Sequence, residues 1–249
     1  MKAALSLNEL WDSASNTSGG NFTPELTAGL PDFGQRYLCH AITPGAKLAS
    51  AVRLKMHGEI KLKSWFPFTA EQVIAWDIGM IWNATVKMYG APIYGFDRLI
   101  NHEGEAQWKM LGLIPIVSAK GHDTTRSCAG RILTETVWLP SILCRKEVVW
   151  QESGSHTGIA GVIVEGERSE LTLSGKENGA LTSSSIDRWG NLGGDTFRSI
   201  PFGGIVEKER YFGGYTIPSE LRVGWYFDTP KFESEGEFFR CTVDHAEFR

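Results

Sequence analysis

The segment Ala51-Val52-Arg53-Leu54-Lys55-Met56-His57-Gly58-Glu59-Ile60-Lys61-Leu62-Lys63-Ser64 alternates apolar with charged or polar residues along most of its length. Period two sends successive side chains to opposite faces of a strand, so one face is apolar and the other wet. Val52, Leu54 and Met56 make one run, and Ile60, Leu62 and Ser64 the next. With His57-Gly58-Glu59 as the turn between them, the spacing predicts a hairpin. A single wet face is the habit of antiparallel sheets, because crossover helices bury both faces of parallel ones.

Downstream the same signal recurs. Residues 70–76 and 80–89 read as a strand pair around Asp77-Ile78-Gly79, followed by strands at Tyr94–Ile100 and Trp108–Val117. Further strands are expected at Val148–Gln151, Gly158–Val164, Glu170–Ser174, Leu181–Trp189, Ile205–Tyr211, Arg222–Phe227 and Glu237–Val243. One long exception interrupts them. In Cys128–Leu143, residues Ile132, Leu133, Thr136, Val137 and Leu139 keep helical spacing, Asp123 or Thr124 can cap the start, and Pro140 should end or kink it. Upstream, Phe33, Tyr37, Leu38 and Ile42 predict a short amphipathic helix before Pro44-Gly45, while the polar residues 12–24 read as a mobile connection.

About a dozen antiparallel strands cannot remain a flat open sheet and must curl or close. The expected fold class is therefore β-rich α+β. A large curved antiparallel sheet, an incomplete β-barrel, wraps over a central helix of residues 124–143, with a short N-terminal helix and a cavity between sheet and helix. Residues 1–29 form an N-terminal extension, and 30–249 a single half-barrel domain.

Composition supports a packed, aromatic-rich interior. Of 249 residues, 28 are glycine and 9 tryptophan, so the chain has many tight or close-packed backbone positions and many large flat side chains. Twenty-five basic residues against 29 acidic ones leave a net charge of −4, which offers nothing to a polyanion, and nucleic acid is not an expected partner. No apolar run reaches the ~18 residues of a transmembrane helix. The start at Met1-Lys2-Ala3-Ala4 is broken by Asn8, Glu9 and Asp12, unlike a signal peptide. Cys39, Cys128, Cys144 and Cys241 are scattered without a CxxC pair, which reads as reduced thiols in the cytoplasm. The triplets at Asn16, Asn21 and Asn83 then lack the secretory context that glycosylation needs. No nucleotide-binding loop, GxSxG or HExxH motif is present, and no cofactor is expected.

Several segments resemble a bacterial family defined only as a domain of unknown function. They are Leu30-Pro31 with Arg36-Tyr37-Leu38, Trp65-Phe66-Pro67-Phe68-Thr69-Ala70-Glu71-Gln72, Arg131-Ile132-Leu133-Thr134-Glu135-Thr136-Val137-Trp138-Leu139-Pro140, and Tyr215-Thr216-Ile217-Pro218 leading to Trp225. The resemblance runs from about residue 30 to 248. That family is similar in shape to the lipoprotein-carrier half-barrels (LolA/LolB-like), which implies an incomplete barrel closed by helices over an apolar cavity. It implies no reaction.

Candidate site residues follow from the inward half of the helix. Arg131 and Glu135 are four apart on one helical face and can pair. They are either an ion pair tying helix to sheet or a carboxylate tuned by an apolar wall, with Arg126 and Arg131 balancing charge. Trp138 shares that face, as core or as a stacking surface. Asp97, His102 and His122 are the remaining acid/base candidates, with His102 or His122 able to exchange a proton with Asp97 or Glu135. On a strand, His102 points away from Glu103 and Glu105, so a local chelate is poorly arranged and no metal site is expected. Trp65, Trp82 and Tyr94 are expected either to fill the core or to line a pocket. Arg188-Trp189-Gly190-Asn191 and Pro201-Phe202-Gly203-Gly204 read as tight turns at the sheet rim.

Three functions fit. A soluble binder of an apolar small molecule or lipid would use Trp65, Trp82, Tyr94, Arg126 and Trp138. A metal-independent acid/base enzyme of cyclase, isomerase or hydrolase type would use Glu135, Arg131, Asp97 and His102 in the same cavity. A scaffold would need an accessible sheet edge. No sequence feature sets an oligomeric state.

Overall fold

The computed structural model describes residues 5–14, 20–193 and 196–249. Thirteen strands among them form one antiparallel sheet. The first meander is β1 (Ala51–Lys61), β2 (Trp65–Ala75), β3 (Gly79–Met88), β4 (Ala91–Ile100), β5 (Glu103–Met110) and β6 (Ile114–Lys120). The second is β7 (Val149–Glu152), β8 (Thr157–Val164), β9 (Glu167–Gly175), β10 (Leu181–Gly190), β11 (Arg198–Phe212), β12 (Tyr215–Trp225) and β13 (Glu237–Phe248). β1 pairs with β13, so the sheet runs in the order β6 to β1 and then β13 to β7. Its two edges are therefore β6 and β7, which are neighbours in sequence. The chain between them has to cross from one edge to the other. It does so as α3 (His122–Thr134) and two 3-10 segments, Glu135–Trp138 and Pro140–Cys144. This single crossing packs α3 against β4, β5 and β6 on one side and β8, β9 and β10 on the other. The result is the expected incomplete barrel over a central helix.

The central helix is shorter than its periodicity predicts. Instead of continuing to residue 143, α3 stops at Thr134. Thr134 Oγ1 bonds back to the Arg131 carbonyl at 2.8 Å and Thr136 Oγ1 to that of Leu133 at 2.7 Å, local bonds that compete with the helical ladder. Pro140 has no N–H for the Thr136 carbonyl, which accepts from Leu139 instead, a 3-10 bond of 2.8 Å. Gly121 rather than Asp123 or Thr124 sits at the helix start, and Asp123 accepts from Trp189 Nε1 at 2.8 Å.

Two other boundaries differ from the sequence expectation. His57-Gly58-Glu59 is not a turn: β1 runs straight through it, and the chain reverses at Leu62-Lys63-Ser64. The alternation never breaks phase there. Gly58 is required because the Arg240 carbonyl oxygen of β13 lies only 1.9 Å from where a Cβ would stand. The expected strand Trp108–Val117 is instead β5, a turn and β6, with Leu111 and Gly112 at φ 52° and 73°.

The main core fills the concave side, around Phe33, Tyr37 and Leu38 of α2 (Asp32–Ala41), Leu133 and Trp138 of the crossing, and the inward residues of the strands. A second, smaller core lies on the convex face. There α1 (Leu7–Ser13) seats Leu7, Leu10 and Trp11 on Ala51, Val73, Ala75, Ile81 and Ile100. Ser6 and Glu9 cap it reciprocally, at 2.7 and 3.2 Å. Asn8, Glu9 and Asp12, which interrupt the apolar pattern, are the exposed side of this helix. Within the expected mobile connection, Phe22 is fully buried in the main core, whereas residues 15–19, including the Asn16 triplet, lie outside the described residues. Among the described residues no helix is long and apolar enough to cross a membrane.

Candidate functional site

Between the crossing segment and the concave face lies a cavity of about 600 Å³. Strand phase decides what faces it. On β3 and β4 the inward positions are Trp82, Val86, Ile93 and Asp97, and on β11, β12 and β13 they include Phe202, Val223, Trp225 and Phe239. The floor is Arg131, Thr134, Glu135, Val137 and Trp138. Leu62, Ile116 and Val117, all exposed, mark its open side.

The aromatic wall depends on glycine. A Cβ on Gly95 would lie 2.0 Å from the ring of Trp108, its cross-strand partner, and one on Gly190 would lie 2.4 Å from the ring of Trp225. These glycines let two indoles lie against the backbone and face the cavity. Trp108 then reaches Trp82 with ring centroids 5.6 Å apart, and Phe68 stacks on Phe239 at 4.9 Å.

The floor carries an ion-paired polar set. Arg131 Nε donates to Glu135 Oε1 and its Nη1 to Asp97 Oδ2, both at 2.7 Å, while the guanidinium lies 4.7 Å from the Trp82 ring. Gln72, fully buried on β2, donates to Glu135 Oε2 at 2.5 Å, and Trp108 Nε1 to Asp97 Oδ1 at 3.2 Å. All four carboxylate oxygens thus have a donor. Burial pulls the Arg131 pKa down, but the two carboxylates outweigh it and leave it above the ordinary arginine value. Arg188 of β10 is the fourth charged residue lining the cavity; its pKa is pushed down to about 10, first by burial and then by the like charge of Arg131.

The sequence pattern of a family of unknown function, DUF6920, matches residues 28–248, nearly the whole chain. The chain belongs to the DUF6920 family. Among curated proteins none matches it. Among solved structures it is similar to a LolA superfamily protein from Nitrosomonas europaea, with TM-score 0.43, 8% identity, and 87% of this chain and 92% of that one covered. It is also similar to a domain assigned to outer membrane lipoprotein sorting from Vibrio parahaemolyticus, with TM-score 0.39, 5% identity, and coverage of 80% and 86%.

In this DUF6920 member, five of the ten sequence-predicted site residues converge: Asp97, Arg131, Glu135, Trp82 and Trp138 all line the cavity. The other five do not. Trp65 and Tyr94 are out of phase with the inward positions of their strands. Trp65 lies 4.3 Å beneath the guanidinium of Arg240, and Tyr94 is half-exposed in a groove on the convex face. His102 is in the β4–β5 turn rather than on a strand, at φ 63° and with an 87% exposed side chain paired with Glu165 at 2.8 Å. Arg126 points to the other side of α3, where Glu167 binds its Nε at 2.8 Å and the Trp189 ring lies 4.1 Å away. His102, His122 and Arg126 line a separate polar cleft of about 850 Å³, so neither histidine is placed to exchange a proton with Asp97 or Glu135.

Sequence reasoning missed Phe202, Trp225, Phe239 and, above all, Arg188 as cavity residues. Of the segments read as rim turns, Arg188 and Trp189 lie in the expected strand Leu181–Trp189, which as β10 extends to Gly190, and Pro201–Gly204 belong to β11. The available signal was phase. Ser184, Ile186, Arg188 and Gly190 alternate, which puts the arginine on the same inward face as Ile186.

Proposed function

We propose that this protein binds a hydrophobic small molecule or lipid in the cavity between the crossing segment and the sheet. The observation that carries this reading is a cavity of about 600 Å³ walled by tryptophan, phenylalanine and aliphatic side chains, within the ~300–1,000 Å³ of small-molecule sites. Apolar surface held open rather than collapsed is what an apolar ligand covers. The polar floor favours binding over acid/base chemistry. A general acid or base needs a carboxylate free to meet substrate, and Asp97 and Glu135 spend both oxygens on protein donors.

The neutral dye Nile red provides the test. The wild-type chain should bind one dye with a rise in fluorescence. Val223→Trp, which fills the cavity from β12, should weaken binding by about tenfold or more while still melting cooperatively. Equal dye binding by a folded Val223→Trp protein would place the apolar site elsewhere.

A further inference from the structure

The four charged residues around the cavity divide unequally. Asp97, Arg131 and Glu135 form the ion-paired set described above, whereas Arg188 stands outside it. Among the described residues its guanidinium has no carboxylate partner. Nε donates to the Ser127 carbonyl at 3.0 Å, and Nη2 reaches the Ser127 hydroxyl at 3.4 Å. Among the described residues Nη1 has no hydrogen-bond partner, and its neighbours do not seal it off.

This arginine is fixed in place rather than splayed into water. Its stem crosses α3 at Gly130, where a Cβ would come within 2.9 Å of Arg188 Cγ. Glycine inside a helix is destabilising relative to alanine, so room for this side chain comes at the expense of the helix. Its guanidinium carbon lies 4.5 Å from the Phe202 ring and 5.1 Å from that of Trp225, which rests on Gly190. Helix and aromatic wall together hold the guanidinium at the cavity surface.

We infer that the cavity takes a single-chain amphiphile with an anionic head, a carboxylate or a phosphate monoester, that accepts hydrogen bonds from Arg188 while its alkyl chain lies along the aromatic wall. The inference rests on the cavity reading and adds the chemistry of the head. A planar guanidinium matches an oxyanion better than any neutral group, and charge-assisted hydrogen bonds are the strong ones. A wholly apolar ligand would desolvate the cation and leave it unpaired in a low dielectric. Size argues for one chain: about 600 Å³ holds on the order of 20 groups of ~30 Å³, the share of one water. With its pKa at about 10, Arg188 is charged at neutral pH and available to such a head.

Displacement of Nile red by palmitate, hexadecyl phosphate and hexadecanol tests this on the full chain. At least one anion should displace the dye at a concentration about tenfold or more below that of hexadecanol. The better anion tells carboxylate from phosphate. In Arg188→Met the anions should displace the dye no better than the alcohol does from the same variant. Equal displacement by all three ligands in the wild-type chain overturns the inference and leaves the cavity reading intact. A preference that persists in Arg188→Met overturns the assignment to this arginine. Absence of dye binding by the wild type removes the cavity reading itself. Should Arg188→Met fail to fold, the wild-type comparison of anion with alcohol decides alone.

Discussion

Arg131→Met should lower stability by about 3–5 kcal/mol, among the largest effects of any single change in the chain. The side chains of Arg131 and Glu135 are only 15% and 11% exposed, and Asp97 is 25% exposed. Removing the cation leaves two carboxylates facing one another across a largely apolar floor, each having lost the arginine it is bonded to. The penalty comes chiefly from those stranded charges and not from the worth of the ion pairs, because desolvation offsets most of the pair attraction. Hence Arg131→Met combined with Asp97→Asn and Glu135→Gln should recover a large part of the loss. Urea unfolding measures both. A midpoint for Arg131→Met equal to wild type would mean that water screens this set, and the floor of the cavity would then be wet.

Trp138→Ala should cost roughly 3–5 kcal/mol, for a different reason. The indole is 5% exposed, its Nε1 donates to the Pro218 carbonyl of β12 at 3.0 Å, and it ends the 3-10 segment that follows α3. Deletion removes a large apolar body at the place where the crossing segment is pinned to the sheet. Trp138→Phe separates the two contributions, since it keeps most of the volume and loses a hydrogen bond of about 1 kcal/mol. A Trp138→Ala protein that unfolds at the wild-type denaturant concentration would show that the crossing is held elsewhere.

The half-barrel was legible because its physics is local. Alternation in β1, β2, β3 and β4 marks one buried face, and a dozen such strands with one apolar helix admit few arrangements. Inward helix residues were legible on the same ground: Arg131, Glu135 and Trp138 are fixed by helical spacing alone. Failures came where spacing is silent. Trp65 and Tyr94 have the right chemistry but the wrong strand phase, and only pairing with Lys61 and Lys109 in the actual register shows which face they take. Trp225 faces the cavity because Gly190 of another strand makes room for its ring, a relation that spacing within one strand does not carry. Arg188 lay within the expected strand Leu181–Trp189, but the phase that turns it inward beside Ile186 was not read from it. The extent of α3 was misjudged because Ile132 to Leu139 keep helical spacing even where threonine hydroxyls and Pro140 change the hydrogen bonding. The α1 helix was the most recoverable miss, since Ser6 and Glu9 stand at capping-box spacing and Leu7, Leu10 and Trp11 share a face.

Native mass spectrometry after incubation with palmitate shows whether the cavity is a ligand site. One added mass of palmitate per chain is expected, retained at low collision energy, and none in Val223→Trp, where the cavity is filled. A wild-type chain that stays at its bare polypeptide mass at saturating palmitate, or a blocked variant that takes up the same single copy, would contradict a ligand site in the cavity.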